Sequence, residues 1–427
     1  MNKFLSIALV SFFCTSLYAQ NINALINSKE VERIETALAS DDMQGRKTFT
    51  SGIEKAAEFI SAEFKKAGLQ TFNKAVDYRQ SFFMLKPSLI KVSCILDGQQ
   101  VAENQVNVIT ATKDISFNNG EDFEQVIMGS NENFFSKAQE LLQSGKKYIV
   151  FVDTSFSRNF SRLSFFKRQL QPMTGSVVFV LTNQVPEEYT VEAKHSFDTL
   201  KLSNIVGVLP GKSKPDEYVI FSGHYDHLGI GKPIKGDSLY NGANDDAAGT
   251  TAVIMLAKYF KALHNNGRTI IFTAFTAEEI GGFGSQYFSK QLDPLKVIAM
   301  FNIEMIGTES KWGANSAYIT GYEKSDMGSI LQKNLEGSSF TFYPDPYTEE
   351  QLFYRSDNAT LARKGVPAHT ISTSKMDNEP NYHKPSDEIG TLNMANMTEI
   401  IKAIAISAKG IISGKETPSR VDTTLLK

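Results

Sequence analysis

The chain has 427 residues, more than one hydrophobic core usually serves, so two domains or one domain with an insertion is expected. Apolar residues at 41% and charged residues at 21% exclude a disordered chain, and 44 Lys+Arg against 47 Asp+Glu leave no basic surplus for nucleic acid or acidic lipid. Two cysteines, Cys14 and Cys94, exclude a disulfide framework and a cysteine-built zinc site, and with only six histidines each one counts.

Lys3, the apolar run from Phe4 to Tyr18 and the small Ala19 have the layout of a secretory signal over residues 1–19, too short for a comfortable membrane span. Phe12-Phe13 before Cys14 is a poor match to a lipidation site. Removal of this segment leaves Cys94 as the only cysteine, and no later stretch reaches about 18 apolar residues. The expectation is an exported protein, periplasmic or secreted, with no integral membrane segment once the signal is removed.

Residues 29–68 predict helices around the polar turn Ser40 to Arg46. Ala56, Ala57, Ile60, Phe64 and Ala67 form an apolar stripe that Gly68 stops. Strand is favoured from about 78 to 97. Residues 100–198 carry the strand-like runs Lys147 to Val152 and Ser176 to Leu181, a polar helix near 136–144, and no catalytic cluster. They are expected to be an inserted, mostly β accessory domain, with 20–99 and 199–427 forming the main domain. From about 203 the texture is α/β, with buried strands at Tyr218 to Phe221, Thr269 to Phe275, Val297 to Ile303 and Ala368 to Ile371. A helix after Asp246 carries Val253, Leu256, Ala257, Phe260 and Leu263 on one face, and a last helix covers about 393–412.

In open α/β sheets functional groups gather beyond the carboxyl ends of strands. Here those ends carry Gly223-His224-Tyr225-Asp226-His227, Ala277-Glu278-Glu279, Glu304-Met305-Ile306-Gly307 and Tyr382-His383, with Asn244-Asp245-Asp246 between the first strand and its helix. Imidazoles with carboxylates suit zinc, whereas calcium takes oxygens alone. Two neutral histidines and three carboxylates carry three negative charges against the four positive charges of two divalent ions, and one hydroxide closes the balance. Adjacent residues at a strand end point apart, so one of Glu278 and Glu279 can ligate while the other takes a proton from the attacking water. Each piece alone has a plainer reading: Glu-Glu a solvated surface, Asp-Asp before Ala-Ala-Gly a helix cap, His383 an exposed loop histidine. Asp226 and His227 read as supporting groups, Asp226 as an acceptor orienting His224. His195, His264 and His369 lack acidic surroundings and read as structural. Five segments carrying the right chemistry in one order outweigh the separate readings.

The order Gly-His-x-Asp, Asn-Asp-Asp-Ala-x-Gly, Ala-Glu-Glu, Asn-x-acid-Met-Ile-Gly and Tyr-His resembles metallopeptidase family 28, as does Leu38 to Arg46 at the front. The resemblance covers about 203–410, and residues 100–198 sit where many members carry a protease-associated insert. It implies an α/β fold of the zinc exopeptidase type, with a mixed, mostly parallel central sheet flanked by helices. It further implies two zinc ions bridged by Asp245, one completed by Glu279 and His383, the other by His224 and Glu304. Glu278 would be the general base, Tyr382 an aid to carbonyl polarisation, and the Asp245-Asp246 peptide cis. Most members have Asp where this chain has Glu304, and relatives often have His where it has Asn358. The function implied is an aminopeptidase acting on peptides. The alternatives are a glutaminyl cyclase of the same family, separable by metal count, and a non-catalytic binding protein on the same fold.

Overall fold

The computed structural model describes residues 22–119, 122–167 and 173–426. The expected signal segment, Cys14 included, lies outside them. Two compact units emerge: residues up to Ser81 with Leu202–Lys427, and Phe82–Lys201.

In the larger unit the strands are β1 (Tyr189–Leu209), β2 (Lys214–His224), β3 (Arg268–Phe275), β4 (Val297–Ile303), β5 (Ser316–Ile319), β6 (Thr341–Pro344) and β7 (Ala368–Ser372). They lie side by side in the order β6-β5-β7-β4-β2-β3-β1. Strands β7, β4, β2 and β3 run parallel, while β1 is antiparallel to β3 and β5 antiparallel to β7. All eight residues of β3 are buried, the pattern of a strand covered on both faces. Alternation sorts the side chains: Ile270, Phe272 and Ala274 join one core cluster, Ile271 and Phe275 the other. On the first face Phe221 stacks between Phe272 and Phe301, with centroids 5.8 and 4.8 Å away.

Helices α1 (Ser28–Leu38), α2 (Ser51–Ala67), α3 (Ala248–Leu263) and α4 (Met394–Ser407) cover that face. Asn27 caps α1 through Glu30 N, and Gly68, at φ 76°, closes α2. The last predicted helix is split: Lys409–Ser413 follows α4 as a separate turn. Because the central strands are parallel, the ends bearing His224, Glu278-Glu279, Glu304 and the loop after β7 share one edge of the sheet.

Between α1 and α3 lies the buried Glu35, whose Oε2 accepts the Thr251 hydroxyl at 2.7 Å. Burial pushes its carboxyl up to about 8, only partly opposed by the Thr251 hydrogen bond and Arg46. The folded chain therefore holds a proton that the unfolded chain releases near 4.5, and stability falls as pH rises from there to about 8. Glu35→Gln is expected to abolish this slope, on the order of 4 kcal/mol across the window. Urea unfolding of both proteins at pH 5 and pH 8 checks it, and parallel pH dependences would contradict the assignment.

The smaller unit begins at Phe82 and ends at Lys201, rather than spanning 100–198 as expected. The reason is that Arg79–Leu96 and Tyr189–Leu209 are each one unbroken strand running into it. Its four-stranded sheet has the order Val106–Thr110, Ser176–Leu181, Lys147–Val152, Glu124–Met128. Helix Phe134–Gln143 links two parallel strands, a βαβ crossover inside an otherwise β-rich unit. Cys94 is buried here and free. Among the described residues no helix is long and apolar enough to cross a membrane.

Candidate metal centre

Asp245 stands at the middle. Its Oδ1 is 3.2 Å from His224 Nε2, and its Oδ2 is 3.2 Å from His383 Nε2 and 3.8 Å from His227 Nδ1. Glu279 joins on one side, with Oε2 3.2 Å from His383 Nε2 and Oε1 2.8 Å from His227 Nδ1. Glu304 joins on the other, its carboxylate within 4.8 Å of the ligating atoms of His224 and Asp245. The five residues expected to bind metal are thus together, and His227 stands with them. Glu278 belongs to neither group of ligating atoms among the described residues. Tyr382 stacks on His383, centroids 3.9 Å apart, and lines a cavity with Glu304, Met305, Tyr318 and Leu352.

The local backbone aims these groups. Ala277, Met305 and His383 all lie in the left-handed region, at φ 60°, 53° and 55°. Such turns at three chain segments of one site re-aim side chains that an extended strand would send elsewhere. The Asp245-Asp246 peptide is cis, as the resemblance implies. Asp246 points away from the metal ligands and ties the floor together: its carboxylate accepts His224 N, Gly249 N and Met305 N at 3.0–3.1 Å. It therefore ties the first turn of α3 to the ends of β2 and β4. Gly249 is required by this packing, since a Cβ there would stand 2.1 Å from Ile303 O. Gly242, at φ 58°, leaves room for the His227 ring.

Asp226 departs from the expectation that its carboxylate orients His224. The Nδ1 of His224 is 3.1 Å from the backbone carbonyl of Asp226 and 3.9 Å from its carboxylate. The carboxylate instead accepts the backbone N–H of Glu278 at 3.1 Å and of Glu279 at 3.4 Å, which orients the Glu-Glu turn. Two further residues had no role in the sequence reading. Asp387 accepts Asn244 N and Asp245 N at 2.8 and 3.0 Å, holding the Asp245 loop from the far side. Arg46 is buried and donates to the carbonyls of Leu38, Tyr225, Asn241 and Gly242 at 2.6–2.9 Å. Their only sequence signal was position inside the Tyr-His and Leu-Ala-Ser segments. His369 bonds Thr320 O and Ser325 Oγ, and His264 ends α3. Asn358 bonds Phe353 O, Ala368 O and Thr370 Oγ1 as a structural clasp.

Electrostatics set the carboxylates apart. Burial pushes Asp245 upward, but the imidazoles of His224 and His383 beside it win and hold it well below the carboxylate range. Burial raises Glu278 well above that range, opposed by His224 and reinforced by Glu304, Asp357 and Glu279. Burial likewise lifts Glu304 to about 7. The donor set passes a test of fit for a cation. His224 Nε2, His227 Nδ1, Glu279 Oε1 and Glu304 Oε2 are buried without a hydrogen-bond partner. Buried polar atoms ordinarily pair, and imidazole nitrogens converging with carboxylate oxygens are the donor set that zinc takes.

Residues 204–407 match the profile of peptidase family M28. This segment belongs to that family. The M28 segment runs from the end of β1 to the end of α4, so it contains every residue of the cluster. Among curated proteins the chain is 36% identical over 110 residues to a probable zinc metalloprotease of Pyrenophora tritici-repentis, covering 25% of each chain. It is 23% identical over 323 residues to aminopeptidase YwaD of Bacillus subtilis, covering 67% of this chain and 62% of that one. The chain spans about a quarter of the length of the first curated relatives it matches. Among solved structures it resembles an aminopeptidase from Aneurinibacillus sp. strain AM-1, with TM-score 0.54, 17% identity and 95% and 97% of the two chains covered. It also resembles glutaminyl cyclase of Porphyromonas gingivalis, with TM-score 0.50, 11% identity and 90% and 99% covered. Both share the mixed α/β fold of this chain.

Proposed function

We propose that this chain is an exported aminopeptidase that removes N-terminal residues from peptides with two zinc ions. The observation that carries the reading is the convergence of unpaired, buried donor atoms beside a carboxylate, Glu278, that stands outside the ligating groups. Asp245 would be shared, with His224 and Glu304 as the residues that would hold one ion and Glu279 and His383 the other. Bound zinc supplies Lewis acidity, lowering the pKa of water and polarising the scissile carbonyl. Glu278 accepts a proton from the attacking water as its oxygen bonds the carbonyl carbon, then delivers that proton to the amine as the C–N bond breaks. Burial raises the Tyr382 phenol, so it stays protonated and donates toward the carbonyl oxygen. The acids of the cluster also favour a substrate with a free, cationic α-amine, which separates an exopeptidase from an endopeptidase.

Zinc analysis of the purified protein and hydrolysis of an amino-acyl anilide panel, with and without chelator, test the reading. Two zinc ions per chain are expected, with activity lost on chelation and restored by zinc. One zinc with cyclisation of Gln-initial peptides and no anilide hydrolysis would make the protein a cyclase. Metal-free protein without turnover would leave a binding protein on the same fold. Export is checked by sequencing the N-terminus of protein recovered outside the cytoplasm, expected near residue 20.

A further inference from the structure

We propose that His227 is a sixth protein ligand, binding through Nδ1 the ion held by Asp245, Glu279 and His383. The inference rests on the two-zinc reading and adds a residue that the five-ligand set implied by the resemblance does not contain.

Three observations carry it. First, His227 Nδ1 lies 2.8 Å from Glu279 Oε1 and 3.8 Å from Asp245 Oδ2. Ligands about 2.0–2.2 Å from a zinc ion stand about 2.8–3.8 Å from one another in four- or five-coordinate geometry. His383 Nε2, at 3.2 Å from each of the same two carboxylates, has the same relation to them.

Second, closeness is not matched by hydrogen bonding. His227 Nδ1 and Glu279 Oε1 are both buried and 2.8 Å apart, yet neither makes a hydrogen bond of good geometry. An N–H donating to that oxygen would direct its proton along the line between the two atoms. The pair instead shares the signature of His224 Nε2, which lies 3.2 Å from Asp245 Oδ1 and is equally unpartnered. In both pairs a ring nitrogen and a carboxylate oxygen stand close enough to ligate one cation.

Third, the ring is held in place. It is fully buried, meets the His383 ring edge to face at 5.9 Å, and occupies the space that a Cβ at Gly242 would fill. The backbone N–H of His227 donates to Arg46 O at 3.3 Å, fixing the segment that bears it.

The consequence is an unequal pair. One ion has four protein ligands, His227, His383, Glu279 and Asp245, and the other has three, His224, Asp245 and Glu304. The four-ligand site fills first and holds its ion more tightly, while the Glu304 side keeps the open position that substrate needs. A stepwise zinc titration of the metal-stripped protein is expected to show two distinct affinities.

The deciding experiment is a crystal structure of the wild-type protein loaded with zinc, together with competitive zinc titrations of His227→Ala and His227→Gln. Nδ1 is expected about 2.0–2.2 Å from the ion on the Glu279 side. The variants are expected to lose at least about 100-fold in affinity at the tighter site, beyond the 10–100-fold that an outer hydrogen bond contributes. An Nδ1 more than about 3 Å from both ions, with its proton on Glu279, would overturn the inference and leave the two-zinc reading standing. Absence of zinc from the cluster altogether would overturn the two-zinc reading itself. The wild-type structure decides the matter even if neither variant folds.

Discussion

Glu278→Gln is expected to keep its zinc and to lose about 10²–10⁴-fold in kcat, with KM little changed. The substitution preserves the shape of the side chain and removes only its capacity to take and return a proton. Zinc should remain because Glu278 is not among the residues whose ligating atoms converge. The carboxylate of Asp226, which fixes the backbone of both glutamates, leaves Glu279 in position in the variant. Zinc content by elemental analysis and kcat on an amino-acyl anilide measure the two halves separately. Near-normal turnover would remove Glu278 from the role of base. Lost zinc would move it among the ligands.

Arg46→Met is expected to lower stability by about 3–5 kcal/mol and to weaken zinc binding although Arg46 touches no ligand side chain. Methionine fills much of the space, so packing is largely preserved. The loss arises because the carbonyls of Leu38, Tyr225, Asn241 and Gly242 are left without the guanidinium, each unmet acceptor costing about 1–3 kcal/mol before relaxation. Burial lowers the pKa of Arg46, and Glu35, Asp387, Asp245 and Asp246 offset that effect. Removing the cation takes away the positive charge that faces Asp245 and Asp387. Urea unfolding of the metal-stripped protein isolates the stability term, and zinc titration the binding term. A stability change below about 1 kcal/mol would show that water can replace the guanidinium.

The central strands were legible from sequence because each is an uninterrupted apolar run. Val297–Ile303 has the predicted bounds, and β2, β3 and β7 extend the predicted runs by a few residues. The short strands Ser316–Ile319 and Thr341–Pro344 were not, since a four-residue run between polar loops has no period to read. The start of the smaller unit was also missed, because hydropathy cannot tell one long strand crossing into a new unit from two short ones.

For the site, the sequence by itself determined which chemical groups would meet and at which strand ends. Parallel strands put their carboxyl ends on one edge whatever their packing details, so an ordered set of His and acid residues at those ends is enough to bring them together. Only the tertiary structure decided direction. It turned Asp226 from the His224 ring to the Glu278-Glu279 backbone, brought Asp387 and Arg46 around the Asp245 loop, and set His227 against Glu279. These outcomes depend on φ values at Ala277, Met305 and His383 and on contacts across long stretches of chain. Spacing along the chain carries residue type and order, whereas the aim of a side chain is set by neighbours that folding alone supplies.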